Sequence, residues 1–91
     1  TEVYVYSENS PAYAMAGNIL QSIVNYVGTK NNGVRINRTF YVLRKTSMPA
    51  LLVELAYLSN ASDAQKLLND QYTFAYAIYM GILDYFGYQP L

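Results

Sequence analysis

Histidine, cysteine and tryptophan are all missing from this sequence of 91 residues. Without histidine or cysteine, the chain alone cannot form a zinc finger, another Cys/His zinc site or a disulfide scaffold. A Ser-His-Asp triad and a Cys-His dyad are excluded too, because both need an imidazole base. Only carboxylates remain as zinc ligands, so we expect the isolated chain to bind this metal weakly or not at all.

Charge is also scarce, since six Lys and Arg balance six Asp and Glu, and charged residues make up 13% of the chain. The even balance excludes a nucleic-acid-binding arm and a polybasic membrane patch, while 53% hydrophobic residues exclude a disordered chain. No apolar run approaches the ~18 residues that a membrane-spanning helix needs. Thr1 opens a strand-like segment and not a signal peptide, so we expect the chain to begin after any targeting segment.

The spacing of apolar residues predicts an α/β fold. β-branched and aromatic residues predict strands near residues 3–6, 40–43 and 50–54, with a candidate extended segment at 34–37. Helical spacing predicts helices near residues 11–27, 61–69 and 71–86, the last of which is expected to bury the stripe Ala75, Ile78, Tyr79, Ile82, Leu83 and Phe86. We expect helices on both faces of the sheet, with the 50–54 strand inside it because that strand is apolar on both sides.

Capping residues mark the ends of these predicted helices. Ser10 and Asn60 are the N-cap candidates, and Asp63 stands three residues after Asn60 as in a capping box. Gly28 and Gly87 follow the last turns of two helices, where a left-handed residue commonly ends the helix.

Glu54 is the only charged residue between Ser47 and Ser62, and it lies near the end of the most apolar predicted strand. An unpartnered buried carboxylate costs several kcal/mol, so Glu54 must be paired, protonated or at an open strand end. Ligand sites of open α/β sheets lie at the carboxyl ends of strands, which favours a functional carboxylate. A structural ion pair with Arg44 or Arg38 is the competing interpretation, and the residues alone leave both open.

Two further groups of residues, and Asn60, each have two alternative interpretations. The cations Arg35, Arg38, Arg44 and Lys45 either face an anionic ligand or surround a solvated strand end. The eleven tyrosines form either a carbohydrate-stacking surface or part of a core or interface. Asn60 either lines a site at a loop tip or caps a helix.

Three segments resemble one known family. They are Asn32–Arg35 (Asn-Gly-Val-Arg), Phe40–Arg44 (Phe-Tyr-Val-Leu-Arg) and Met48–Asn60 (Met-Pro-Ala-Leu-Leu-Val-Glu-Leu-Ala-Tyr-Leu-Ser-Asn). With the opening strand at Thr1 and the closing helix at 78–86, they resemble the C-terminal half of the zinc-dependent N-acetylmuramoyl-L-alanine amidases. These are bacterial, bacteriophage and spore-associated cell-wall hydrolases, and the resemblance covers nearly the whole chain.

The resemblance implies a part of a mixed sheet flanked by helices on both faces, and hydrolysis of the amide between the lactyl group of N-acetylmuramic acid and L-alanine. A zinc ion held by two His and a Glu would polarise that carbonyl and activate water. A second Glu acts as general acid/base in the family, and this role falls on Glu54. Arg44 and Asn60 are expected to contact the substrate.

The zinc ligands of the family are absent here, since the chain contains no His. We therefore interpret residues 1–91 as the C-terminal half of an amidase catalytic domain that is inactive alone. We expect either that a missing N-terminal half completes the domain or that self-association covers the exposed edge of the sheet. The expected partner is peptidoglycan, and the expected setting is secreted or at the cell wall, as for an autolysin, or of spore or phage origin. The alternatives are a non-catalytic wall-binding or assembly module and a tyrosine-rich interaction protein.

Overall fold

A computed structural model of the chain describes residues 1–90. Three strands and four helices follow one another along these residues. In chain order they are β1 (Glu2–Val5), α1 (Ala12–Val27), β2 (Val34–Ile36), α2 (Tyr41–Arg44), β3 (Leu52–Glu54), α3 (Ala61–Asn69) and α4 (Gln71–Phe86). The predicted α/β class is confirmed, and so are the three long helices and the extended segment after residue 33.

The strands form one mixed sheet in the order β2-β1-β3. β1 runs parallel to β2 and antiparallel to β3, with Val3 opposite Val34 on one side and Val53 on the other. The predicted internal position of the 50–54 strand is wrong for the described sheet, because β3 lies at its edge and β1 at its centre. A strand that is apolar on both faces is expected to have buried side chains. Burial of its side chains does not determine whether the strand has one neighbouring strand or two.

The strand predicted at 40–43 is also wrong, because these residues enter the short helix α2. The side-chain oxygen of Asn37 accepts hydrogen bonds from the backbone N–H groups of Thr39 (2.8 Å) and Phe40 (3.0 Å), which turns the chain after β2. The carbonyl of Phe40 then accepts from the N–H of Arg44 (2.9 Å), a helical pattern. A short aromatic and β-branched run does not by itself distinguish a strand from a single helical turn.

The 16-residue helices α1 and α4 pack on the same face of the sheet. Val3 and Val5 of β1 are fully buried against Ala12, Ala16 and Leu20 of α1. A second cluster joins Ile19 and Ile23 of α1 to Phe74 and Ala77 of α4, with Val53 of β3 beside them. On the opposite face, the ring of Phe40 meets Tyr4 edge-on at 5.1 Å between centroids. None of the helices in residues 1–90 has the length and apolar character needed to cross a membrane.

The buried face of α4 differs from the predicted stripe. Its buried residues are Phe74, Ala77 and Gly81, whereas Ala75, Tyr79 and Phe86 of the predicted stripe are exposed. A Cβ atom on Gly81 would lie 2.6 Å from the Cα of Ile19, so the two helices touch through their backbones there. The buried Ser22 hydroxyl donates to the carbonyl of Ala77 (2.6 Å) at the same contact. Small residues therefore decide which face of α4 meets α1, and a hydrophobic stripe alone does not reveal them.

The predicted caps at Gly28, Asn60 and Gly87 are confirmed, whereas α1 begins at Ala12 with Pro11, and not Ser10, at the N-cap position. The Asn60 side-chain oxygen accepts from the N–H of Asp63 (3.0 Å) at the start of α3. Gly28 (φ 83°) and Gly87 (φ 74°) end α1 and α4 in the left-handed conformation. The Ser10 hydroxyl accepts from the N–H of Ala12 (3.2 Å), at the first turn of α1.

Candidate functional site

The face of the sheet opposite α1 and α4 carries a group of polar side chains. Successive side chains of a strand point to opposite faces, so Glu2 and Tyr4 of β1 point away from Val3 and Val5. The register places Glu2 directly opposite Glu54 of β3, and Tyr4 beside Arg35 of β2. All three strands thus contribute an ionisable side chain to one face, and two of them contribute carboxylates.

Glu2 has a side chain that is only 7% exposed, and it is held by one hydrogen bond and one ion pair. The Tyr4 hydroxyl donates to its Oε1 (2.6 Å), and the Arg35 Nε lies 2.7 Å from its Oε2. Both carboxylate oxygens of Glu2 are therefore occupied, one by a phenol and one by a cation. Charged hydrogen bonds of this kind stabilise the ionised form of a carboxyl group.

The two glutamates have pKa values that move apart. Burial alone would raise the pKa of Glu2, but hydrogen bonds from Tyr4 and Tyr57 and the charge of Arg35 outweigh it, so that its pKa lies below the ordinary 4.5. Burial raises the pKa of Glu54 above 4.5, and a hydrogen bond to Glu2 together with the negative charge of Glu2 raises it further. When the pair holds one proton, that proton resides on Glu54.

The surrounding groups complete the polar cluster. The hydrogen bond to Glu2 is the largest cause that raises the pKa of Tyr4 to about 12, so its hydroxyl keeps its proton. Burial and the hydrogen bond to Glu2 raise the pKa of Tyr57 as well. Asn32 donates to the Tyr57 hydroxyl at 3.5 Å, and the hydroxyl of buried Thr1 donates to the carbonyl of Leu55 (2.5 Å), which ties the end of β3 to the start of β1.

Glu54 is the last residue of β3, as predicted, but the site does not lie at a shared carboxyl edge of the sheet. β3 runs antiparallel to β1, so its carboxyl end meets the amino end of β1 at Glu2. The rule for open parallel sheets therefore draws attention to Glu54, but Glu54 lies where the carboxyl end of β3 meets the amino end of β1. The direction of β3 is decided by its pairing with β1, which the sequence of β3 alone does not contain.

The structure separates the predicted site residues from one another. Arg44 lines a surface groove with Tyr6 and Ser47, beyond the carboxyl end of β1, whereas Glu54 lies at the amino end of that strand. Its guanidinium lies 5.9 Å from the centre of the Tyr41 ring. Asn60 is six residues after Glu54, and its side-chain oxygen caps α3. The roles of Glu54, Arg44 and Asn60 in catalysis and substrate binding remain predictions.

The alternative interpretation, a structural ion pair of Glu54 with Arg44 or Arg38, is wrong, because each of these arginines lies against a tyrosine instead. Arg38 donates to the carbonyl of Tyr6 (3.4 Å) and lies over its ring, and Arg44 lies over the Tyr41 ring. The ion pair found in residues 1–90 joins Arg35 to Glu2. Glu54 therefore has no arginine partner in the part of the chain that the structure describes, and burial, followed by the nearby Glu2 carboxylate, raises its pKa.

Glu2 and Tyr4 belong to the site, but the sequence analysis does not name them as candidate site residues, and it considers Arg35 only as one of four cations near a strand end. Glu2 and Tyr4 alternate with valines in a strand of period two, which places them on one face. That alternation was a usable signal for a polar face. The position of Glu2 opposite Glu54 could not be predicted from the sequence, because it depends on the antiparallel register between β1 and β3.

These residues do not fit a zinc ion by themselves. Within residues 1–90, no three Asp, Glu, His or Cys side chains are grouped so that they could hold a metal ion. Glu2 and Glu54 are two carboxylates, and both oxygens of Glu2 are already engaged by Tyr4 and Arg35.

Several tyrosines form an exposed aromatic surface on α4 and the end of α1. Tyr26 meets Tyr76 edge-on at 5.5 Å, and Tyr76 lies 6.0 Å from Tyr79. Tyr72 on the same helix is 86% exposed. These tyrosines lie at the surface, outside the core that aromatic stripes usually occupy, so the choice between a carbohydrate-stacking surface and an interface stays open.

Comparison with known proteins identifies the family. A family model described as N-acetylmuramoyl-L-alanine amidase matches residues 1–84. The chain belongs to this amidase family. The amidase LytC of Bacillus subtilis (strain 168) is 38% identical over 74 residues, which are 79% of this chain and 15% of LytC.

Solved amidases share the fold. The structure of the N-acetylmuramoyl-L-alanine amidase AmiC2 of Nostoc punctiforme is 42% identical with a TM-score of 0.80, covering 94% of this chain and 47% of that one. The amidase of Clostridium difficile 630 is 30% identical with a TM-score of 0.83, covering 98% of this chain and 49% of that one. This chain thus spans about half the length of the solved amidases that it matches. The family resemblance is confirmed, while zinc dependence and the role of Glu54 remain predictions.

Proposed function

We propose that this chain forms the C-terminal half of an amidase domain that cleaves the bond between N-acetylmuramic acid and L-alanine in peptidoglycan. The observation that supports this most directly is the half-buried Glu54 at the end of β3, opposite the ionised Glu2. Burial and the Glu2 charge raise the pKa of Glu54. A carboxyl group whose pKa is shifted toward neutrality suits proton transfer at physiological pH.

In this proposal Glu54 moves one proton in two steps. Its carboxylate takes a proton from the attacking water as the new C–O bond forms at the amide carbonyl. It then gives that proton to the amide nitrogen as the C–N bond breaks, so that L-alanine leaves as a neutral amine. Without the second step the leaving group would be an amide anion, which is a far poorer leaving group.

The zinc ion implied by the family would polarise the carbonyl and favour ionisation of water, and we propose that its ligands lie outside this chain. Since this chain spans about half of the solved amidases, the other half of the domain is proposed to be a further segment or a second chain. The proposed place of action is the cell wall, outside the membrane, where peptidoglycan lies.

The test is Glu54→Gln in the intact enzyme that contains this segment. The glutamine keeps the size and hydrogen bonding of the side chain but cannot accept the proton. We expect the release of soluble peptide from purified peptidoglycan to fall by at least ~10²-fold, the low end for acid/base catalysis. Zinc content and folding are expected to stay unchanged, because Glu54 is not proposed as a ligand.

Glu8→Gln is the matched control, since Glu8 is an exposed glutamate outside the polar cluster. Near-normal release by Glu54→Gln would leave Glu54 as a structural carboxylate. Loss of zinc together with activity would make it a metal ligand instead. Wall binding by the intact wild-type protein without any peptide release would favour the non-catalytic module.

A further inference from the structure

Glu2 and Glu54 meet because two strands from opposite ends of the chain pair in one register. Residues directly opposite each other in an antiparallel pair have Cβ atoms about 4.5–5.5 Å apart and share one face. Like charges directly opposite are destabilising, and burial of Glu2 strengthens that repulsion. A proton on one of the two carboxyl groups therefore relieves this repulsion.

The donors around the pair decide which carboxyl group carries it. The Tyr4 hydroxyl donates to Glu2 Oε1 at 2.6 Å, and the charged guanidinium of Arg35 forms an ion pair with Oε2, with its Nε 2.7 Å away. Glu54 lies directly opposite Glu2 in the register, and its pKa is raised first by burial and then by its proximity to the Glu2 carboxylate. Glu2 is thus the member of the pair that stays ionised, and Glu54 is the member that gains a proton more readily.

We propose that Glu2 is a positioning residue for Glu54, orienting its carboxyl group and holding the proton that Glu54 gains during amide hydrolysis. This rests on the proposed acid/base function of Glu54. When water gives up its proton, the Glu54 hydroxyl that forms donates to Glu2, and the proton stays there until the amide nitrogen takes it. Tyr4 and Arg35 keep Glu2 ionised through both steps, so no proton passes on to Glu2.

Some of the charged groups around Glu54 raise its pKa, and others lower it. Glu2 of β1 raises the pKa of Glu54, and the amino group of Thr1 lowers it. Tyr4 of β1 and Tyr57 of the loop after β3 are neutral at physiological pH, because their pKa values are raised. Arg35 of β2 is paired with Glu2. Removing the charge of Glu2 therefore removes the one ionised acidic group that acts on Glu54 in the described residues.

The test compares Glu2→Gln with Glu8→Gln in the intact enzyme, using peptide release from purified peptidoglycan at a series of pH values. For Glu2→Gln we expect kcat to fall by ~10-fold or more, as for other residues that orient a reacting group, with KM unchanged. The acid limb of the pH–rate profile should move to lower pH, because Glu54 loses the charge that raises its pKa. Glu8→Gln should change neither quantity.

Carboxyl ¹³C NMR titration of Glu54 gives a second readout that does not depend on activity. Glu54 should titrate at lower pH in Glu2→Gln than in the wild type. An unchanged acid limb and an unchanged Glu54 titration would overturn the proposal, even if Glu2→Gln lowered stability. If Glu2→Gln does not fold, Glu2→Asp keeps the charge but withdraws the carboxylate by one methylene, and a Glu54 titration identical to wild type would overturn the proposal as well.

The two proposals fail in different ways. An active Glu54→Gln enzyme would overturn the proposed function and the role of Glu2 with it. An inactive Glu54→Gln enzyme beside a Glu2→Gln enzyme with wild-type kcat and pH profile would overturn only the role of Glu2.

Discussion

Glu2 and Val3 are neighbours in β1 and almost equally buried, at 5% and 0% exposure, but they are buried in different ways. Val3 enters an apolar cluster with α1, where stabilisation depends on the area removed from water. Glu2 enters a cluster in which each of its oxygens needs a particular donor, Tyr4 or Arg35. A carboxylate buried without such donors would cost several kcal/mol.

The comparison separates two kinds of constraint within one strand. The apolar face tolerates exchange among hydrophobic residues of similar volume, because its interactions are not directional. The polar face requires specific partners at specific positions, because a lost donor leaves a buried charge unsatisfied. We therefore expect substitutions on the polar face to have effects that depend on pH, and those on the apolar face to have effects that do not.

Tyr4→Phe should have the largest effect on stability, since it removes the hydroxyl that donates to Glu2 at 2.6 Å. A hydrogen bond to a charged group contributes about 1.5–3 kcal/mol, so the free energy of unfolding at neutral pH should fall by that amount. Because the pKa of folded Glu2 is lowered, its contribution is present above the ordinary value of 4.5 and is lost as the pH falls through the folded value. The difference between the two proteins should therefore shrink in acid.

Urea unfolding of the intact protein at neutral pH and below pH 4.5 measures this dependence. Tyr13→Phe is the control, since Tyr13 is 40% exposed on α1. A Tyr4→Phe cost that is the same at both pH values would show that the ring of Tyr4, and not its bond to Glu2, carries the effect.

Gly81→Ala should destabilise the packing of α4 against α1, because the added methyl group would overlap with the backbone of α1. The added Cβ would lie 2.6 Å from the Cα of Ile19, and neither backbone moves without separating α1 from α4. We expect a loss of about 1–3 kcal/mol in the free energy of unfolding, the usual cost of overpacking, with no dependence on pH.

Gly17→Ala is the matched control in α1, because nothing in the described residues lies within 4 Å of its added Cβ. Alanine there should raise stability by about 0.5–1 kcal/mol through helix propensity alone. Thermal unfolding of both variants measures the two changes in stability. Equal stabilisation by the two alanines would contradict the close contact at Gly81.

Asn60→Ala should have the smallest effect, because Asn60 belongs to neither face and caps α3 through one bond to the N–H of Asp63. Loss of an N-cap costs about 1 kcal/mol. Asn69→Ala, at the exposed end of the same helix, should change stability by less than about 0.5 kcal/mol. KM for peptidoglycan should not change in either variant, and a raised KM for Asn60→Ala alone would restore Asn60 as a substrate contact.

The local properties of the chain were largely readable from its residues. Helix ends at Gly28, Asn60 and Gly87 follow from backbone conformation and capping, which involve residues only a few positions apart. Glu54 could be recognised because a lone charge in an apolar strand demands an explanation wherever the strand lies. The absence of His and Cys excluded whole classes of site without any structure.

Tertiary structure decided the rest. The helical turn at Tyr41–Arg44 depends on the side chain of Asn37, and the buried face of α4 depends on how closely Gly81 lets α1 approach. The pairing of Glu2 with Glu54 depends on the direction and register of two strands far apart in the chain. Strand register is set by contacts on both faces of the whole sheet and not by the sequence of either strand. The residue types of the site were therefore visible in the sequence, but which of the two carboxyl groups has the lowered pKa was decided only when the sheet brought Tyr4 and Arg35 to one of them.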